Sequence, residues 1–130
     1  RLLGLETRPG EPAPLSDADF EIVSARTDRN QFIYFFHLWC SSCQVMGGLL
    51  NEVGPEYSEK ADFYKLDVTK NPDTASKFRI SGVPTVVAIR NGQEIDRQKG
   101  LIPIDELKSW IEETLEPENP SGTGDPGSEQ

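Results

Sequence analysis

The sequence predicts an α/β fold, with a mixed central β-sheet flanked by helices on both faces. Three observations carry this expectation. Residues 31–38 form a near-continuous apolar run, which fits a strand buried on both faces. Helix-like and strand-like patterns alternate through the middle of the chain, which implies parallel crossovers. Asn91-Gly92 separates two strand-like segments, and that dipeptide marks a tight antiparallel hairpin.

The elements follow in order. Leu15-Ser16-Asp17 precedes Phe20 and Val23 at helical spacing, with Ile22 beside them. Ser16 or Asp17 can cap this first helix, although the segment is short enough to be a loop. The apolar run supplies the next strand. A helix then starts at the first cysteine, with Val45, Met46, Leu49, Leu50 and Val53 at its apolar spacing. Gly47-Gly48 lies inside it and Gly54-Pro55 ends or kinks it, so a bend is expected. Residues 62–68 alternate and read as a strand. Asn71-Pro72-Asp73 supplies a cap, a preset first turn and an acid at the positive helix end, for a helix running to about Arg79. Residues 84–90 and 93–98 flank the Asn-Gly turn. Ile104, Leu107, Ile111 and Leu115 stripe a last helix, with Asp105 and Glu106 in its first turn and Trp110 on the flank as a core residue. The predicted order is α-β-α-β-α-β-β-α.

Composition bounds the rest. The chain has 130 residues, enough for one domain. Residues 1–14 read as a lead-in rich in proline (Pro9, Pro12, Pro14), 15–116 as the packed domain, and 117–130 as a disordered acidic tail without large apolar side chains. A net charge of −9 argues against binding nucleic acid or anionic lipid. No apolar run is long enough to insert directly into a bilayer. No exposed apolar seam is evident, and a monomer is expected. The chain opens at Arg1, and a proline-rich lead-in often follows a removed signal or anchor. An extracytoplasmic or periplasmic setting, anchored by a missing N-terminal segment, is slightly favoured over the cytoplasm.

Cys40 and Cys43 are the only cysteines, and they fall where the apolar strand ends and a helix begins. The amides and dipole of a helix N-terminus favour an anion, so a Cys40 thiolate is stabilised there. Cys43 sits one turn deeper on the same face, within reach of a disulfide. A nucleophile at the helix tip with a shielded partner below it suits two-step thiol–disulfide exchange. Competing uses are weaker. Zinc needs about four ligands, and the chain offers two cysteines and His37; a cluster bridging two chains is the other metal reading. A purely structural disulfide over so short a loop constrains the unfolded chain little. No metal and no cofactor beyond the cysteine pair is expected. His37, the only histidine, reads as a strand-end side chain that can tune Cys40 when protonated. A Cys–His nucleophilic pair is the alternative. Trp39 reads as a shield on the disulfide edge or as core.

These residues resemble the thioredoxin family. The likeness is carried by Trp39-Cys40-Ser41-Ser42-Cys43, Lys65-Leu66-Asp67-Val68, Asn71-Pro72, Gly82-Val83-Pro84-Thr85, Asn91-Gly92 and Gly100. It implies a thioredoxin-like fold and a protein thiol–disulfide oxidoreductase. Pro84 would be a cis-proline facing the disulfide. Val83 would pair its backbone with a substrate strand, Gly82 and Gly100 would give that strand room, and Trp39 would line the same groove. Protein disulfides would be the substrates. A thioredoxin reductase or a membrane dithiol carrier would donate electrons.

Several departures bear on that reading. Tyr34 stands where the family usually has a buried Asp, and Lys65, that acid's usual partner, is left to find another acid or to snorkel. Ser41-Ser42 replaces Gly-Pro and leaves the reducing strength open. Gly48 replaces a helix-kinking proline, and Phe36 replaces a common tryptophan. Only Leu2-Leu3-Gly4-Leu5 offers the family's first strand. A reductase is the leading expectation. A non-enzymatic, redox-gated adaptor and a disulfide oxidase or isomerase are the alternatives.

Overall fold

The computed structural model describes residues 8–26 and 28–116. Its elements are β1 (Ala13–Pro14), α1 (Asp17–Ser24), β2 (Asn30–Phe36), α2 (Ser41–Val53), a 3₁₀ turn (Gly54–Tyr57), β3 (Ala61–Asp67), α3 (Pro72–Lys77), β4 (Thr85–Arg90), β5 (Gln93–Lys99) and α4 (Ile104–Leu115). The sheet order is β1-β3-β2-β4-β5. β3 pairs parallel with β1 and β2, while β4 runs antiparallel to β2 and β5. The mixed sheet expected from the sequence is therefore present.

The run from Phe32 to Phe35 is apolar throughout because β2 is central and buried on both faces. Phe32 and Tyr34 point into one core with Met46, Leu50 and Val53 of α2 and Leu107, Trp110 and Ile111 of α4. Ile33 and Phe35 point into the other, with Phe20 of α1, Leu66, Val87 and Ile89. β4 alternates in the same way, Val86 and Ala88 against Val87 and Ile89. Phe32 stacks on Phe63 at 4.9 Å and meets Trp110 edge-on at 5.5 Å, favoured ring arrangements for a core. The Trp110 Nε1–H donates to Asp96 at 2.8 Å, so the indole is buried without an orphaned donor.

Several elements differ from the expectation, each for a physical reason. Among the described residues the first strand is Ala13–Pro14; Leu2–Leu5 lies outside them, as does 117–130. A strand thus lies inside the segment read as a lead-in. Two residues ending in proline carry no strand periodicity, which is why pattern missed them. β1 is an edge strand, where a missing N–H is tolerated. α2 runs without interruption across Gly47-Gly48, and the change comes only at Gly54-Pro55. Gly54 is required there, because a Cβ would collide with the Gly10 carbonyl. Val45 is exposed, so the apolar face of α2 is narrower than its spacing implied.

α1 is capped by Ser16, whose hydroxyl accepts the Asp19 N–H at 3.3 Å. α3 is capped from α1, not by Asn71. The Asp17 carboxylate accepts from Asp73 N–H at 3.1 Å and from Thr74 N–H at 2.8 Å. Asn71 instead accepts the Asp17 N–H at 2.9 Å and donates to the Asp67 carbonyl at 3.1 Å. α3 ends at Lys77, short of Arg79, which sits at φ 53°. Ile80 N–H reaches Ala75 O at 3.0 Å and Arg79 N–H reaches Ser76 O at 2.9 Å, a Schellman ending with arginine in the glycine position. Asn91 and Gly92 both have positive φ (54° and 77°), as the hairpin turn demands. No helix among the described residues is long and apolar enough to cross a membrane.

Candidate active site

β2 stops at Phe36 and α2 starts at Ser41, so residues 37–40 are the turn between the central strand and the helix. Cys40 is the N-cap of α2, in extended backbone. Its Sγ accepts the Cys43 N–H at 3.1 Å and lies 3.3 Å from Ser42 Oγ. The first turn of α2 holds no acidic residue to oppose a negative charge at its tip. Cys40 and Cys43 are joined as a disulfide with Cα atoms 5.1 Å apart. The two sulfurs are not equivalent. Cys40 is half-buried, whereas Cys43 is 1% exposed and belongs to the α2–α4 core. When the pair is reduced, the accessible sulfur keeps the amide and the helix end, and the buried one is shielded from solvent thiols.

The β2–β4 register brings a second segment to this point. Phe35 pairs with Thr85, so the residues before Thr85 flank the end of β2. The Val83-Pro84 bond is cis, and the Val83 carbonyl oxygen lies 3.9 Å from Cys40 Sγ. Two hydrogen bonds hold this loop. Thr85 Oγ1 donates to Gly82 O at 2.7 Å, and Gly100 N–H donates to Pro84 O at 2.7 Å. Gly100 needs its positive φ of 85° to make that contact. A Cβ at Gly82 or Gly100 would meet nothing within 4 Å, so open space lies over both. Among the described residues the Val83 N–H has no partner.

The remaining predicted residues divide. Trp39 is 91% exposed, and its backbone N–H donates to His37 Nδ1 at 3.2 Å. The indole therefore stands in solvent beside the disulfide turn and is not core. Leu38 and Leu101 are also exposed, next in sequence to Trp39 and Gly100. The sequence reading missed these two; their signal was a large apolar residue adjoining a motif. Ser41 is exposed and Ser42 half-buried, with only Ser42 reaching the sulfur. His37 and Lys65 line a cavity behind Cys43, together with Tyr34, Phe36, Leu38, Gly47 and Gly48.

Tyr34 is buried, stacks on Phe36 at 5.3 Å and donates its hydroxyl to the Cys43 carbonyl. Burial pushes its pKa up to about 12, offset in part by a hydrogen bond from the Gly47 backbone. It is a protonated donor at neutral pH. A Cβ at Gly47 would lie 3.2 Å from the Tyr34 oxygen, so glycine here makes room for the phenol. Sequence reasoning saw only a missing acid at this position. Gly47, one turn past Cys43, was the available signal for a bulky partner. Among the described residues no group of three or more His, Cys, Asp or Glu is placed to hold a metal ion.

An accessible sulfur on a helix cap, a shielded partner one turn below and a cis-proline loop alongside define a thiol–disulfide redox protein. Comparison with known proteins agrees. The thioredoxin family model matches residues 11–113. Thioredoxins of Staphylococcus aureus strains Mu50, MW2 and N315 are each 34% identical over 101 residues, covering 78% of this chain and 95% of theirs. The chain belongs to the thioredoxin family, and its activity is that of a thiol–disulfide oxidoreductase.

Proposed function

We propose that this protein reduces disulfides in other proteins, with Cys40 as nucleophile and Cys43 as resolving thiol. The observation that carries the assignment is the asymmetry of the pair: Cys40 is accessible at the α2 cap, while Cys43 is buried in the core. The Cys40 thiolate attacks one sulfur of a substrate disulfide and expels the other as a thiolate, which takes up a proton. Cys43 then loses its proton and attacks the Cys40 sulfur. The substrate's second thiolate leaves, and the Cys40–Cys43 disulfide remains. Two electrons pass to the substrate, and the protein's own cysteine pair is the only redox group used.

Val83 supplies an unpaired N–H and a carbonyl at the sulfur, suited to pairing with an extended substrate segment. Open space over Gly82 and Gly100, and the exposed Trp39, Leu38 and Leu101, complete an apolar landing for it. Ser42 adds a hydrogen-bonding hydroxyl to the Cys40 sulfur. A thioredoxin reductase, or a membrane dithiol carrier outside the cytoplasm, would return the electrons to the chain, acting as a monomer. An extracytoplasmic setting is part of the same proposal, and fractionation of the native protein tests it.

The test is insulin reduction together with trapping. Cys43→Ser should accumulate a mixed disulfide through Cys40, and Cys40→Ser should be inactive. A dithiol potential near about −270 mV fits a reductase, and one above about −200 mV reassigns the protein as an oxidase or isomerase. Absence of any trapped adduct with Cys43→Ser would refute the mechanism.

A further inference from the structure

We propose that the cavity behind Cys43 binds a small amphipathic carboxylate. Its short aliphatic body would rest on Tyr34, Phe36 and the Gly47-Gly48 backbone, and its anionic end would meet the Lys65 ammonium. The proposal does not depend on the redox chemistry. The cavity holds about 320 Å³, at the small end of ligand sites. It adjoins the disulfide face through Leu38 and Cys43, while Trp39, Cys40, Gly82, Val83, Pro84 and Gly100 contribute nothing to its lining.

The lining is mostly apolar, with a few polar groups among it. Lys65 is its lysine, Asn51 and Gln44 add amides, and no carboxylate is present. Among the described residues Lys65 makes no ion pair. The acid that feels its charge, Glu11, is held by Arg8 at 2.7 Å. His37 already accepts the Trp39 N–H through Nδ1, and Lys65 is the ammonium of the lining, shared with a neighbouring hollow that holds Asp19 and Asp67. An ammonium beside an apolar hollow, with no acid in the walls, is complementary to a monoanion on a hydrocarbon body.

The second observation is Gly48. Glycine is among the poorest residues for a helix interior. Gly47 is explained by Tyr34, whose oxygen would crowd a Cβ at 3.2 Å. Gly48 has no such reason, since a Cβ there would meet nothing within 4 Å. What its missing side chain provides is the open wall of this cavity.

The test uses the full oxidised chain and octanoate as the probe, below its micelle concentration, with amide NMR shifts as the readout. Octanol serves as the neutral isostere. Octanoate should give saturable shifts at Gly47, Gly48 and Asn51, and octanol should bind about tenfold more weakly, as loss of one charge-assisted contact implies. Lys65→Met keeps the apolar stem and should lower octanoate to the affinity of octanol. Gly48→Leu, a better helix former in open space, should fold and abolish binding. Equal affinities for the two probes, shifts centred on Trp39, Val83 and Leu101, wild-type binding by Gly48→Leu or no saturable shift would each overturn the proposal. Insulin reduction by the same variants without ligand reads the redox function separately.

Discussion

Replacing Tyr34 by Phe removes one oxygen from behind the resolving cysteine and leaves the ring stack on Phe36 intact. The hydroxyl donates to the Cys43 carbonyl and receives a hydrogen bond from the Gly47 backbone. Both partners also lie four residues apart on α2, where helix geometry can pair them with each other. The deletion therefore removes a buried hydrogen bond without orphaning its partners. That places the cost near the net value of such a bond, about 0.5–1.5 kcal/mol, and below the penalty for an unsatisfied buried group. For a chain of this size the melting temperature should fall by about 2–6 °C. Urea unfolding of the oxidised protein measures it directly. The kinetic expectation is equally definite. A phenol pushed up to about 12 holds its proton at neutral pH, so Tyr34 orients the first turn of α2 and does not take the Cys43 proton. Resolution of a mixed disulfide, followed by stopped flow, should slow by less than about tenfold with its pH dependence unchanged. Loss of a limb of that pH profile in Tyr34→Phe would show that the hydroxyl is the base. Unchanged stability would show that the hydroxyl contributes nothing to the turn.

Three further outcomes are expected. Arg79 occupies a left-handed position that glycine adopts freely, and Arg79→Gly should raise stability by about 1 kcal/mol in urea unfolding. Asp17 is depressed below its usual 3.8 because bonds from Thr74 and Asp73 outweigh desolvation, the largest single influence. Its contribution is present above that value and is lost as pH falls through the folded pKa; Asp17→Ala should lower the urea midpoint at pH 7 and flatten the acid limb of the stability curve. Tyr34 is raised, so the opposite sign holds. Its neutral form stabilises the fold up to about pH 10 and that stability is lost as pH climbs through about 12, so Tyr34→Phe should shrink the alkaline limb, to which Tyr57 and Tyr64, also raised by burial, contribute with the same sign.

The parts of the fold that were legible in the sequence are those where one local signal decides the outcome. Asn91-Gly92 specifies its turn because both residues must take positive φ. The apolar run is legible as a central strand because it is short, rich in aromatic residues and bounded by turn signals, as a strand buried on both faces requires. The cysteine spacing specifies the disulfide because a helix turn brings the two together. The illegible parts depend on partners distant in sequence. Asn71 looks like a cap, but Asp17 arrives from α1 and takes its place. Ala13–Pro14 becomes a strand only because β3 offers an edge beside it. Trp39 reads as a shield on the disulfide edge or as core, and the turn it occupies leaves the ring in solvent. Tyr34 was visible as a departure from the family pattern, but its hydroxyl's target on α2 exists only once β2 and α2 are packed.

The division of labour between the two sulfurs follows from the phase of one helix. Cys43, Met46, Leu50 and Val53 are spaced by three, four and three residues, and all four are buried on the sheet side of α2. Any side chain three residues before Met46 on this helix must face the core. Cys40 precedes the first helical residue and has extended backbone, so it escapes that phase and stays half-buried at the core's edge. Identical side chains thus receive different exposures from backbone position alone. The same junction gives Cys40 the free amide of Cys43 and the positive end of the dipole, which stabilise its thiolate. Neither Ser41 nor Ser42 is needed to create the asymmetry. Of the two, only Ser42 touches the Cys40 sulfur.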